Sequence, residues 1–418
     1  MTKKILSWNA NILFLLIFAG QYFYIYFVTS AKLPPFLGGY FSIACLFSLV
    51  VFSCHYFFLG TIKNLSRSDF IFWILPFLLF LLMVLIQLWL GSIYAAPGRD
   101  GAAYQSLNLL LYAFVLFVVG CCLSFSGRET LKLGKIVFFI MMFVLLSYVI
   151  STGSLFYNVG YVAKEAGLEE SFGTYQTMAR SVMLVGLIAL IGITSPVLKV
   201  LWLGLLLFGL FVIGARTELY TFFAIIPLYV VLTMFNTEVS SAGKLIFLGL
   251  VILAVIFISL MLLLAQTSFD FNMRQFAIFS LNSDASWSSR LRLDDANTQF
   301  IVNNPIAGSH GSHFLQGGAG AYIHNWTSVW QNYGLFAFLL YVYMTAVPLI
   351  YLFFLYFVRN YRNEFVVIGI CIALIVLISV SMSKSFNWEV TYFSWGLVTG
   401  LLLKRLTELR VSKATEVI

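Results

Sequence analysis

The chain of 418 residues is 61% hydrophobic and only 10% charged, with a formal net charge of +8 and a mean hydropathy of +0.97. Soluble domains carry about 25% charged residues, so this composition excludes a water-soluble globular protein and predicts a polytopic membrane protein. The positive charge is scattered between apolar runs and forms no basic, aromatic-interleaved tract, which argues against nucleic acid as a partner.

Crossing a ~30 Å hydrocarbon layer takes about 20 apolar residues. About twelve runs meet this need, near 10–30, 36–60, 70–94, 105–125, 134–151, 178–195, 198–213, 217–235, 244–266, 333–358, 364–382 and 390–404. Each is predicted helical, because lipid offers no partner to an open backbone. The first run is followed by TSAKLPPFLGGY and lacks a small-residue cleavage site, so it reads as an anchor. No internal repeat or Pro/Gly/Ser linker divides the chain, and one integral membrane domain over 1–418 is expected.

Lys and Arg are retained on the cytoplasmic side of a membrane. Placing both termini there gives every inner turn at least one basic residue, among them Lys63, Arg128, Lys135, Lys199, Lys244, Arg362 and Lys404. The long polar segments then fall outside, at 152–177 and 267–332, with a shorter one at 95–104. All five cysteines (Cys45, Cys54, Cys121, Cys122, Cys371) lie in apolar runs, and no disulfide is expected.

The 267–332 segment, between the ninth and tenth runs, is where chemistry is expected, since function in membrane scaffolds gathers in loops held by rigid helices. Its first part, DASWSSRLRLDDANTQFIVNNP, predicts a surface amphipathic helix capped by Ser288 or Ser289, with Leu291, Leu293, Phe300 and Ile301 on one face and Pro305 as its stop. The next part, AGSHGSHFLQGGAGAY, is too glycine-rich for a long helix and offers backbone that a substrate can approach closely. His324 and Asn325 stand just ahead of the tenth run.

Arg216 sits at an outer membrane edge between FVIGA and TELYTFFAII, either snorkelling to headgroups or serving a site, with Glu218 as an alternative partner. Arg290 and Arg292 either touch anionic lipid or clamp an oxyanion, because guanidinium matches phosphate bidentately. Arg180, in GTYQTMARS, is a further anion-binding candidate, while Arg99 reads as solvated and His55 as a structural histidine in an apolar run. His310 and His313, at i and i+3, lack a third ligand of ordinary spacing, so no metal site and no cofactor are expected. His324 is the candidate general base, its pKa class suiting proton abstraction near neutral pH. No G-x-S-x-G, P-loop or H-E-x-x-H occurs.

Three patterns in order, the GARTELY edge at Arg216, the stretch from Arg290 to Pro305 followed by a glycine loop, and Tyr322-Ile323-His324-Asn325 with Gly334 nine residues on, resemble the bacterial O-antigen polymerase and O-antigen ligase family. The resemblance implies an all-α, glycosyltransferase C-like scaffold with a large periplasmic loop carrying the catalytic residues. It implies a metal-independent, inverting glycosyltransferase of the bacterial inner membrane, acting on glycans linked to undecaprenyl diphosphate. Carried over by motif, Arg216 and Arg290 bind the donor diphosphate and His324 activates the acceptor hydroxyl; Arg292 has no clear counterpart, and Arg180 and Asn325 are assigned to substrate binding. A chain-length regulator protein is a further partner of the kind such enzymes have. The compact segment between Pro305 and His324 leans toward a polymerase, with ligase as the alternative. A lipid-linked oligosaccharide flippase is less favoured, since transporters usually bind near the midplane on broken helices.

Overall fold

The computed structural model describes residues 2–30, 40–54, 66–93, 98–99, 101–125, 131–152, 174–236, 240–249, 251–252, 285–318 and 320–416. The described residues are helical, turn or irregular, with no strand among them. In chain order the helices are α1 (Thr2–Ser30), α2 (Tyr40–Cys54), α3 (running through Arg67–Asp69, Phe70–Ile74 and Leu75–Ile93), α4 (Ala102–Ser124), α5 (Lys132–Thr152), α6 (Thr174–Leu190), α7 (Pro196–Ile213), α8 (Arg216–Phe235), α9 (241–249), α10 (Ala285–Asn303), α11 (Thr327–Phe357), α12 (Glu364–Met382) and α13 (Val390–Glu416). A short 3-10 helix, Ser312–Gln316, lies between α10 and α11.

Every predicted apolar run coincides with helix over at least part of its length, and α10 is the predicted loop helix. Among the described residues, eight helices (α1, α3, α4, α5, α7, α8, α11 and α12) are long and apolar enough to cross a membrane, and α2 and α6 are shorter apolar helices. The outward faces are apolar as well: Phe143, Leu201, Phe223 and Ile350 are each more than half exposed. A surface of that kind suits lipid. The segment 152–177 lies largely outside the described residues, and His55, all of 253–284 and part of the ninth run lie outside them as well.

Some boundaries differ from the expectation for local reasons. α6 starts at Thr174 and stops at Leu190, because Ser195 and Pro196 begin a new helix: Ser195 accepts from Leu198 N at 3.5 Å and Pro196 occupies the first helical position. α11 starts at Thr327, not 333, so Gly334 lies inside it as a break. α10 starts by Ala285, which makes Ser288 and Ser289 interior, exposed helix positions and not caps.

Close packing holds the bundle core. α4 and α13 meet through Gly120, Gly396 and Gly400: a Cβ on Gly396 would stand 2.0 Å from Phe117 O, and one on Gly120 2.4 Å from Phe393 O. The Gly396-Leu-Val-Thr-Gly400 spacing puts both small residues on one helix face, the arrangement that lets membrane helices approach backbone to backbone. Beside it, Trp395 packs edge-on against Phe80, Tyr341 and Tyr392. α3 carries Pro76, which has no N–H for Phe72 O four residues back. Tyr343 of α11 donates its hydroxyl to that carbonyl at 3.0 Å.

Among the described residues, several of the basic residues assigned to the inner side meet at one end of the bundle. There Lys199 of α7 pairs with Glu364 of α12, Lys404 reaches Ser124 O, Arg410 pairs with Asp69, and Arg405 lies over the Tyr361 ring. The glycine loop lies at the other end.

α11 is broken at Gly334, whose φ of 85° and ψ of 177° are non-helical. The loop backbone enters this break: Ser309 N donates to Gln331 O at 2.6 Å and Leu335 N donates to Ile306 O at 3.1 Å. A Cβ at Gly334 would stand 2.3 Å from Ile306 O, on a backbone conformation that side chains rarely adopt. Gly334→Ala is therefore expected to cost at least ~1–3 kcal/mol from backbone strain alone and to detach the 305–326 loop. Thermal unfolding in detergent, with limited proteolysis of that loop, checks this; an unchanged midpoint and an uncut loop would show that the break is not needed.

Candidate functional site at the loop end of the bundle

The loop docks through amides and imidazoles more than through apolar contact. Asn297 of α10 is fully buried and donates to Leu293 O at 2.7 Å and to Ala321 O at 2.8 Å. Gln331 of α11 donates to Asn297 Oδ1 at 2.6 Å and to Ser312 Oγ at 3.0 Å. Trp330 Nε1 donates to Pro305 O, and Gln87 of α3 to Ala307 O, each at 2.6 Å. The predicted leucine face of α10 does not seat the helix, for Leu291 is exposed and Leu293 only half-buried. Carbonyls and N–H groups in a glycine loop need partners when buried, and amide side chains supply them where leucines cannot.

His310 and His313 tie this loop to α4. His310 Nε2 lies 2.8 Å from Ser106 Oγ, which in turn lies 3.1 Å from the Tyr333 hydroxyl. His313 is buried, with Nδ1 3.0 Å from Asn332 Oδ1 and Nε2 2.9 Å from Gln105 Oε1. Asn332 Oδ1 also accepts Gly311 N while its amide donates to Ser328 O, so Asn332 is fixed as the acceptor and His313 Nδ1–H as the donor. Arg99, expected in solvent, donates to His310 O at 2.9 Å, because the turn leaves that carbonyl without a helical partner. Burial pushes both imidazoles down to about 4, and the Arg99 charge adds to the effect.

His324 is held from its backbone: its N–H donates to Asp294 Oδ1 of α10 at 3.0 Å. One helical turn earlier, α10 carries Arg290. The His324 imidazole packs beside the Tyr322 ring at 5.2 Å between centroids and makes no hydrogen bond among the described residues. Its pKa falls from 6.5 to about 4, first through burial and then through the positive charges of Arg290 and Lys384. Both positive charges disfavour the imidazolium, so the ring is neutral near pH 7.

Lys384, in the junction between α12 and α13, has no part in the sequence expectations. Its ammonium lies 2.7 Å from Glu218 Oε1 in the first turn of α8 and 3.0 Å from Gln176 Oε1 at the start of α6. Glu218 thus pairs with Lys384; Arg216 was one alternative partner for it. Arg216 begins α8, and its neighbour Thr217 receives a hydrogen bond from Ser383 Oγ at 3.3 Å, next to Lys384. Arg180 of α6 is neutralised by Glu389, which opens α13, and its guanidinium also lies over the Phe41 ring. Asn325 Oδ1 accepts from Thr327 N at 2.8 Å and Thr327 Oγ1 at 2.6 Å, so this oxygen is engaged at the start of α11. Arg292 is exposed on α10.

The fold therefore brings Arg290 and His324 together, and sets the start of α8 with Arg216 beside Lys384 at the same end. It leaves Arg292 apart and commits Arg180 to an ion pair. Lys384, Glu389, Asn297 and Gln331 are additions. The first two had a signal in SMSKSFNWEV, a lysine and a glutamate in a short junction between apolar runs of a chain that is only 10% charged. No protein-family model, no curated protein and no solved structure matches this chain.

Between about pH 6.5 and 4 an unfolded chain protonates these three histidines while the folded chain keeps them neutral. Stability then rises with pH across that window. The unfolding midpoint is expected to fall as pH drops from 7 to 5, and His313→Gln is expected to flatten the slope while lowering the midpoint at pH 7. The same slope in both proteins would show that His313 does not titrate as its burial requires.

Proposed function

We propose that the chain is an O-antigen polymerase-type glycosyltransferase, inverting and metal-independent, that joins undecaprenyl-diphosphate-linked oligosaccharide repeats at the periplasmic face of the bacterial inner membrane. One observation carries the reading: the backbone bond from His324 to Asp294 holds its imidazole one turn of α10 from Arg290, at the end of the bundle where Lys384 lies and α8 begins with Arg216. The site pairs a proton acceptor with cations, which is what transfer from a lipid diphosphate needs.

In this mechanism Arg290 and Arg216 hold the donor diphosphate, guanidinium forks matching phosphate oxygens. His324 accepts the proton of the acceptor hydroxyl. The acceptor oxygen attacks the anomeric carbon, the bond from that carbon to phosphate oxygen breaks, and its electron pair leaves on the diphosphate. Arginines stabilise the charge developing there. Attack opposite the leaving group inverts the anomeric configuration. A bound diphosphate also offsets the positive field at His324, so the base strengthens when the donor is in place.

Arg290→Ala and Arg216→Ala are each expected to abolish long-chain product at normal membrane abundance, with Lys restoring only part of it, because a point charge lacks the bidentate fork. His324→Ala is expected to lower turnover by roughly 10²–10⁴ while keeping donor binding. For the parent enzyme, kcat/KM reports the free site and is expected to rise through about pH 4, not 6.5. Parental turnover in any of the three Ala variants would contradict the role given to that residue. In a deletion strain, single-repeat-capped core marks loss of a polymerase, whereas bare core with long chains left on the lipid diphosphate would assign the chain to ligation instead.

A further inference from the structure

Lys384 and Glu218 form a buried ion pair with unused capacity. An ammonium has three donors. The Lys384 ammonium donates to Gln176 Oε1 at 3.0 Å and lies 2.7 Å from Glu218 Oε1, and it makes no other hydrogen bond among the described residues. Glu218 is 1% exposed, and neither of its carboxylate oxygens has a well-directed hydrogen bond; the Lys384 contact is one of charge. A carboxylate this dry depends on a neighbouring cation. The lysine ammonium also lies 5.7 Å above the Trp388 ring.

Three further buried donors at this end lack a partner: Trp388 Nε1, on the same junction as Lys384, Arg180 Nε, whose guanidinium is held by Glu389 next to Trp388, and Arg99 Nε, farther off against the His310 turn. Buried N–H groups without acceptors are uncommon and ask for an explanation. A spare ammonium proton, an indole N–H and a guanidinium N–H each take an oxygen acceptor, and a phosphate group offers several such oxygens together with the charge that suits the ammonium. Among the described residues Glu218 is the acidic group paired with Lys384, so a ligand of that kind has one charged competitor.

We propose that Lys384 is a further anion-binding residue of the site, held on Glu218 when the site is empty and shared with the diphosphate of the lipid-linked donor when it is filled. This inference rests on the lipid-diphosphate reading given above. The lysine has the reach for it, since four flexible methylenes carry its charge. Glu218 then acts as a positioning residue that keeps the ammonium in the site without a strong directional bond to break.

Replacing Lys384 alone leaves Glu218 buried and uncompensated, and that variant can fail to fold. The test therefore uses Glu218→Gln and the double variant Glu218→Gln/Lys384→Gln, purified in lipid nanodiscs, with inorganic pyrophosphate titrated by calorimetry and unfolding midpoints recorded. Glu218→Gln is expected to bind pyrophosphate as tightly as the parent or more so. The double variant is expected to bind about ten to a hundredfold more weakly, the range of one charge-assisted hydrogen bond, with a midpoint near the parent's. A double variant that binds like the parent makes Lys384 only the structural partner of Glu218 and overturns the proposal. If the double variant keeps binding while Arg290→Ala loses it, the diphosphate reading stands without Lys384. If the double variant loses binding while Arg290→Ala and Arg216→Ala keep it, Lys384 binds anions but the arginine clamp is wrong. A parent that binds no pyrophosphate overturns both.

Discussion

Burial of charge in a chain with little polar surface is the constraint on which the structure turns. Each ion pair taken out of water must be met by a partner in good geometry, or the fold loses several kcal/mol. The chain places such pairs at the two ends of its helical bundle. Lys199 and Glu364 join α7 to α12 at one end, while Lys384–Glu218 and Arg180–Glu389 join α12, α8, α6 and α13 at the other. The middle of the bundle is left to aromatic stacking and to glycine contacts such as that of α4 with α13. Buried donors without acceptors remain at both ends, Arg405 Nε at the first and Arg180 Nε and Trp388 Nε1 at the loop end, where the His324 imidazole also lies.

The loop that brings His324 there depends on a broken helix. Gly334 opens α11, and the backbone of 306–309 takes up the hydrogen bonds that the break releases. Asn297, Gln331, Asn332 and the imidazoles of His310 and His313 satisfy the rest. Such a network is directional, so it fixes the loop in one register where an apolar contact would let it slide. His324 inherits that precision through its backbone bond to Asp294, one turn along α10 from Arg290. Local backbone chemistry thus sets the distance between a candidate base and a candidate clamp.

Much of this was legible in the residues. Hydropathy located the helices because lipid leaves the backbone no alternative, and the sorting of Lys and Arg anticipated which helix ends share a side of the bundle. The closeness of Arg290 and His324 was also within reach, since both lie in the longer of the two long polar segments. The sequence was silent on Lys384 and Glu389 as partners, because Glu218 and Lys384 are 166 positions apart and pattern alone cannot join them. The leucine stripe of α10 misled for a related reason: helical spacing marks an apolar face, but Asn297 is the residue that buries. Ser288 and Ser289 misled as caps because serine is tolerated inside an exposed helix.

The central claim is that one end of this bundle holds a diphosphate against a neutral imidazole. Electron cryomicroscopy of the protein in lipid nanodiscs with undecaprenyl diphosphate tests it most directly. The account predicts phosphate density between α10 at Arg290, the start of α8 at Arg216 and the α12–α13 junction at Lys384, with the His324 ring beside it. Density at the opposite end, near Lys199 and Glu364, or a His324 ring remote from any bound phosphate, would contradict it.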